Sequence, residues 1–329
     1  MGDRQGAGSG VVITISSDLA FVAHAPGFAE VTGEEPLLRP LAEVDAHEGP
    51  VYFADENALY FTTLPRPGAD RSPSVQIKRL PLDDPEDISL LVAQASGANG
   101  MASDRDGRLI VCEQGSRWEP ARISRLERTS GERERVVEDW RGLQFNSPND
   151  VVVASDGAIW FTDPSYGHLQ GFRPPPVVGD FVYRHDPATG NTSVVADGFD
   201  KPNGIALSPD EHTLYVTDSG ANQEPGSYYV TRPHHVKAFD VTGGTRLSGE
   251  RLFAVISPGF PDGLKIDRDG RVYTSSFSGV QVFGPDGELL GEIHLPGAVN
   301  FCFGGPGRNL LLITTDSAVW AAALAAKGA

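Results

Sequence analysis

Sulfur is scarce in this chain: 329 residues hold two cysteines and two methionines. Cys112 and Cys302 each sit in an apolar strand pattern. Two such thiols make no disulfide framework and show no metal-ligand spacing, so both read as buried core groups. Basic charge is also short, with 27 Lys and Arg against 44 Asp and Glu and a net charge of −17. Binding to a phosphate backbone needs a positive face, so nucleic acid is excluded as a partner. Most of the acidic excess reads as a solvated surface. No apolar run approaches 18 residues, and no membrane span is expected. The first ten residues, MGDRQGAGSG, lack the basic start and apolar core of a signal peptide. They read as a loose tail, and the chain as a soluble, cytoplasmic protein.

Turn residues, by contrast, are abundant: 38 Gly and 25 Pro. They punctuate one pattern written six times. Its clearest copy is Phe260-Pro-Asp-Gly-Leu-Lys-Ile-Asp-Arg-Asp-Gly-Arg-Val-Tyr-Thr-Ser-Ser276. A polar residue beside a Gly leads into an apolar stretch, Leu264 and Ile266. The Asp269-Gly270 turn and a second apolar stretch follow. This is strand, tight turn, strand, the turn needing a positive φ that Gly accepts at little cost. The middles of other copies, SDRDGRLIVCE, ASDGAIWFTD and SPDEHTLYVTD, match it. The polar residues that open the units fall at 48, 99, 149, 203, 262 and 300, in steps of 51, 50, 54, 59 and 38. Strand-only repeats of this length predict an all-β protein, a six-bladed β-propeller with four-stranded antiparallel blades. Residues 11–325 are read as one propeller domain after a tail over 1–10. Part of 11–45 is expected to pair into the blade carrying Asn300, so that no sheet edge stays open.

If the strand after each opening residue is innermost, Glu48, Asn99, Asn149, Asn203, Asp262 and Asn300 converge on one mouth of the central channel. Two carboxylates among amide oxygens suit a hard divalent cation, Ca²⁺ before Mg²⁺, with Zn²⁺ and Mn²⁺ left open. The alternative is a ring of turn-capping side chains that only satisfies backbone groups. Two connections are long for hairpins. The segment 165–180 carries Tyr166 and His168, residues placed to contact a substrate, and reads as a lid or pocket wall. The segment 219–235 carries Tyr228, Tyr229, His234 and His235, with one of the two His expected to face inward. The final ALAAKGA reads as a soft tail.

The runs HEGPVYF, NSPNDVVVASDGAIWFTDPSYG, KPNGIALSPDEHTLYVTDSG, FPDGLKIDRDGRVYTSS and NFCFGG together resemble the senescence-marker-protein-30/gluconolactonase family over about residues 45–320. The stretch TDPSYGHLQGFRPPP with VYRHDPATG looks most like its microbial lactonohydrolases. The resemblance implies a calcium-dependent propeller acting on aldonolactones or pantoyl lactone. It implies Glu48, Asn203 and Asp262 as metal ligands, and Asn149 as a ligand or substrate contact. Animal members carry an Arg two residues before that Asn; here Ser147 stands in its place.

The expected chemistry is metal-assisted ester hydrolysis, with the carbonyl polarised and water activated by Asp262 as general base. Asp262 as ligand alone is the competing role. Asn99 and Asn300 are expected to position substrate or water. An organophosphate-hydrolysing propeller would use the same ligands, and a non-catalytic calcium-binding propeller would hydrolyse nothing. The partner is a small lactone and the protein a monomer or small homo-oligomer.

Overall fold

The computed structural model describes residues 20–68 and 72–329. The strand expected over 11–16 and the tail over 1–10 lie outside the described residues. The architecture is the expected six-bladed propeller. The first blade is Val51–Phe53, Ala58–Thr62, Ile77–Pro81 and Ser89–Val92, and the second Ala98–Ser103, Leu109–Glu113, Arg122–Leu126 and Arg133–Val137. The third is Val151–Val153, Ile159–Asp163, Phe181–Asp186 and Asn191–Ala196, and the fourth Pro202–Leu207, Thr213–Asp218, His235–Thr242 and Arg246–Val255. The fifth is Leu264–Ile266, Val272–Ser276, Gly279–Phe283 and Leu289–His294. The sixth takes Asn300–Gly304, Leu310–Thr314 and Ala318–Ala323 from the C-terminal end and Leu37–Glu43 from the N-terminal end. Leu37–Glu43 runs antiparallel to Ala318–Ala323, pairing Leu37 with Ala323 and Glu43 with Ala318. This closes the ring as expected. A further strand, Phe21–Ala23, extends the fifth blade to five strands.

The Asp-Gly turns behave as their chemistry requires. Gly270 has φ +82°, and Asp267 Oδ1 accepts from the Asp269 and Arg271 amides to hold the turn. The second strand of each blade is packed on both faces. Its residues alternate between neighbouring blades, so it reads as a nearly unbroken apolar run. In the second blade Leu109 and Val111 pack toward the first, while Ile110 and Cys112 pack toward the third. The described residues form six such buried clusters, one at each junction between blades. Both thiols are free and buried, as expected.

The last residues differ from the soft tail expected. Leu324 and Ala326 are buried, Ala325 and Ala326 donate to the Val31 carbonyl, and Gly328 donates to that of Arg308. Alternating apolar residues in a seemingly plain tail find a groove beside the helix Phe28–Thr32.

The seam cluster contains Leu59 and Phe61 from the first blade and Leu312 and Val319 from the sixth. Leu312→Ala leaves a cavity there and is expected to cost about 2–5 kcal/mol, read as a lower urea midpoint at unchanged m-value.

Candidate active site

Five of the six opening residues, Glu48, Asn99, Asn149, Asn203 and Asp262, line one cavity of about 280 Å³. Two local devices bring them together. The first is the Gly that often follows. Gly49 sits at φ +59°, and a Cβ on Gly100 would lie 2.5 Å from the Asn149 carbonyl oxygen. The bare backbone lets each inner strand press against the start of the next blade. Gly100 N donates to that Asn149 oxygen at 2.7 Å.

The second device is a collar of hydroxyls at one repeated position in the second strands. Thr62 Oγ1 donates to the Asn99 carbonyl at 3.3 Å, Thr162 to that of Asn203 at 2.7 Å, and Thr217 to that of Asp262 at 3.3 Å. Thr314 donates to the His47 carbonyl at 2.6 Å. Ser275, at the same position in the fifth blade, accepts from the Asp262 amide at 3.1 Å. Cys112 holds the corresponding place in the second blade. Each hydroxyl ties the backbone beneath a cavity-lining residue to a neighbouring strand.

Asn300 takes a different place from that expected. It is 1% exposed and does not line the cavity. Its Nδ2 donates to Glu48 Oε2 at 2.6 Å, and its Oδ1 accepts from the Phe301 amide. It therefore holds the glutamate rather than a substrate. Tyr166 lines the cavity, but its hydroxyl donates to the Ser219 carbonyl at 3.2 Å. His168 is exposed on the helix Tyr166–Leu169 and is not among the lining residues. Of the segment 219–235, Asn222 and Pro225 line the cavity; His234 and His235 are half-buried and do not.

The segment 165–180 is a fixed wall. Arg173 is 5% exposed and its guanidinium donates to the carbonyls of Asn146, Ser116, Glu119 and Phe145. Tyr166 and Phe172 are buried beneath it. Ser147 is fully buried. Its Oγ donates to the Pro164 carbonyl at 2.5 Å and accepts from the Gly167 amide at 2.9 Å.

Sequence reasoning passed over His47, Gln114 and Gln170, which complete the polar lining, and Asp150, buried next to Asn149. Asp150 accepts from the Val151 amide at 2.9 Å and lies 3.8 Å from Lys265 Nζ.

The electrostatics are those of crowded acids. The Asp262 carboxyl shares the cavity with Glu48 and the Asn203 amide, and both act on it. Burial, then the charge of Asp262, pushes Glu48 up to about 8. Burial also pushes Asp262 up to about 7, against the hydrogen bond from Asn203. Burial raises Asp150 too, against Lys265. The Oδ1 atoms of Asn99 and Asn149 are buried with no hydrogen-bond partner. Among the described residues no three His, Cys, Asp or Glu side chains gather as a metal group. The donors here are two carboxyls and amide oxygens. Partnerless carbonyl oxygens beside two crowded, buried carboxyls are a set that a hard divalent cation satisfies.

The family description "SMP-30/Gluconolactonase/LRE-like region" matches residues 46–317. The chain belongs to this family. It is 32% identical to a gluconolactonase of Zymomonas mobilis over 86% of this chain and 80% of that one. It is 30% identical to a lactonohydrolase of Aspergillus oryzae over 81% of this chain and 65% of the relative. A solved gluconolactonase structure from Xanthomonas campestris superposes with a TM-score of 0.78 at 33% identity, covering 96% of this chain and 98% of that one. The motifs that resembled the SMP-30/gluconolactonase family thus belong to a chain that matches it along most of its length.

Acids with raised folded values bind more protons folded than unfolded. Their contribution is most favourable below the ordinary carboxylate range and is lost as pH rises toward about 8. In chelated protein, Glu48→Gln removes this loss. The Tm advantage of the variant over wild type is expected to be small at pH 5 and larger at pH 8. A gap that does not change with pH refutes the crowded-acid account.

Proposed function

We propose that this chain is a metal-dependent lactonase that opens a small aldono- or pantoyl-type lactone to its hydroxy acid. One observation carries the reading: the carboxyls of Glu48 and Asp262 and the partnerless oxygens of Asn99 and Asn149 meet in one cavity. Lactone hydrolysis by relatives that match most of the chain supports it.

Glu48, Asn203 and Asp262, with Asn149 beside them, would hold a divalent cation, calcium by the hardness of their oxygens. When bound, it would polarise the lactone carbonyl and offset negative charge building on its oxygen. The other tasks fall to the chain. Asn300 fixes one oxygen of Glu48. Asp262 accepts a proton from the attacking water. The water oxygen bonds to the carbonyl carbon, the ring C–O bond breaks, and the departing alkoxide takes up the proton. Burial strengthens Asp262 as a base, while positive charge at the site weakens it, so the two bring it into a working range. The fixed wall of Tyr166 and Gln170 bounds one side of the substrate.

The test is a pH-stat assay over a panel of lactones, before and after chelation and metal add-back. Turnover is expected to vanish on chelation and return with calcium. Asp262→Asn is expected to lower kcat by about 100-fold or more. A variant that keeps its metal and its full turnover would show Asp262 to be a ligand only.

A further inference from the structure

His47 lines the same cavity as Glu48, its neighbour in the chain. Its Nδ1 lies 2.6 Å from Asp316 Oδ1, a contact between residues 269 apart in sequence. A carboxylate only accepts, so Nδ1 carries the proton and the ring orientation is set. Asp316 is placed for this by its turn, where it holds φ +62°, a conformation Asp tolerates better than most residues. The other nearby acid, Asp45, is committed to the Leu64 amide and Arg66. The His47 backbone is pinned on both sides, its amide donating to the Thr62 carbonyl and its carbonyl accepting from Thr314. Nε2 is the ring nitrogen for which the described residues supply no hydrogen-bond partner. An imidazole fixed through one nitrogen on the wall of this cavity leaves the other nitrogen available to a ligand.

We propose that His47, oriented by Asp316, hydrogen-bonds the hydroxyl on the carbon next to the lactone carbonyl and so selects α-hydroxylated lactones. The inference rests on the lactonase reading. His47, Glu48 and Asp262 line one cavity of about 280 Å³, and in so small a space a lactone held by its carbonyl at the two carboxyls brings the adjacent hydroxyl within reach of the His47 ring. A hydroxyl both gives and accepts, so it pairs with Nε2 whether that atom bears a lone pair or a proton. Aldonolactones and pantoyl lactone share this hydroxyl.

Two lactones that differ by one hydroxyl test this: α-hydroxy-γ-butyrolactone and γ-butyrolactone. The ratio of their kcat/KM values is measured in wild type, His47→Phe, His47→Gln and Asp316→Ala. The ratio is expected to favour the hydroxylated lactone in wild type and to fall about tenfold in His47→Phe, mainly through KM. His47→Gln, which keeps a polar group, should recover part of it. Asp316→Ala, whose strain at the positive φ of this turn would depress both lactones alike, should lose part of it. A merely structural role would depress both lactones together and leave the ratio alone; an unchanged ratio in His47→Phe and Asp316→Ala overturns the proposal. Binding of the matching lactams, 3-hydroxy-2-pyrrolidinone and 2-pyrrolidinone, followed by NMR titration, separates this from the lactonase reading. If wild type hydrolyses neither lactone, the lactonase reading falls. Equal affinity of wild type for the two lactams then overturns the assignment of His47 as well, while a preference lost in His47→Phe upholds it.

Discussion

Everything at the channel mouth depends on closing the circle. Glu48 meets Asn300 across 252 residues of sequence, and His47 meets Asp316 across 269. Neither contact exists in an open arc of blades. Leu37–Glu43 pairs with Ala318–Ala323 to make the seam, and the apolar cluster around Leu59, Phe61, Leu312 and Val319 fills it. The first and last blades are thereby held at a spacing that a side-chain hydrogen bond can read.

The remaining order comes from contacts between neighbours. A hydroxyl on the second strand of one blade reaches the carbonyl under the functional residue of another, as Thr162 does for Asn203. The side chains can then be acidic and crowded, because the backbone beneath them does not depend on their mutual attraction. Burial and crowding keep Glu48 and Asp262 from both ionising easily, and the collar and seam hold the backbone that brings them together. A site of this kind carries strain in its charges while its geometry stays fixed.

The ring was legible because it is repeated. One polar residue before one apolar strand says little, but Asn99, Asn149, Asn203 and Asp262 recur at the same offset, and the fold follows from that offset. What was hidden is what repetition does not encode. Asn300 shares the offset of the others, yet its amide turns to Glu48, a choice made by a side-chain torsion that no spacing reveals. The segment 165–180 read as a lid or a pocket wall because of its length, and it is the wall. Arg173, a charged residue in a proline-rich loop, reads as exposed until its four carbonyl partners are known. His47 was overshadowed by the glutamate beside it, and its partner Asp316 sits in an unremarked turn on the far side of the seam. Long-range pairing between single residues leaves no periodic trace.

The closing strand has a consequence for how the protein comes into being. Leu37–Glu43 leaves the ribosome long before its partner Ala318–Ala323 is translated. Through most of synthesis this strand has an unsatisfied edge and waits for it. Until then the contacts of Glu48 with Asn300 and of His47 with Asp316 cannot form however many blades have, and the pocket matures in a single late event, when the two sides of the seam meet.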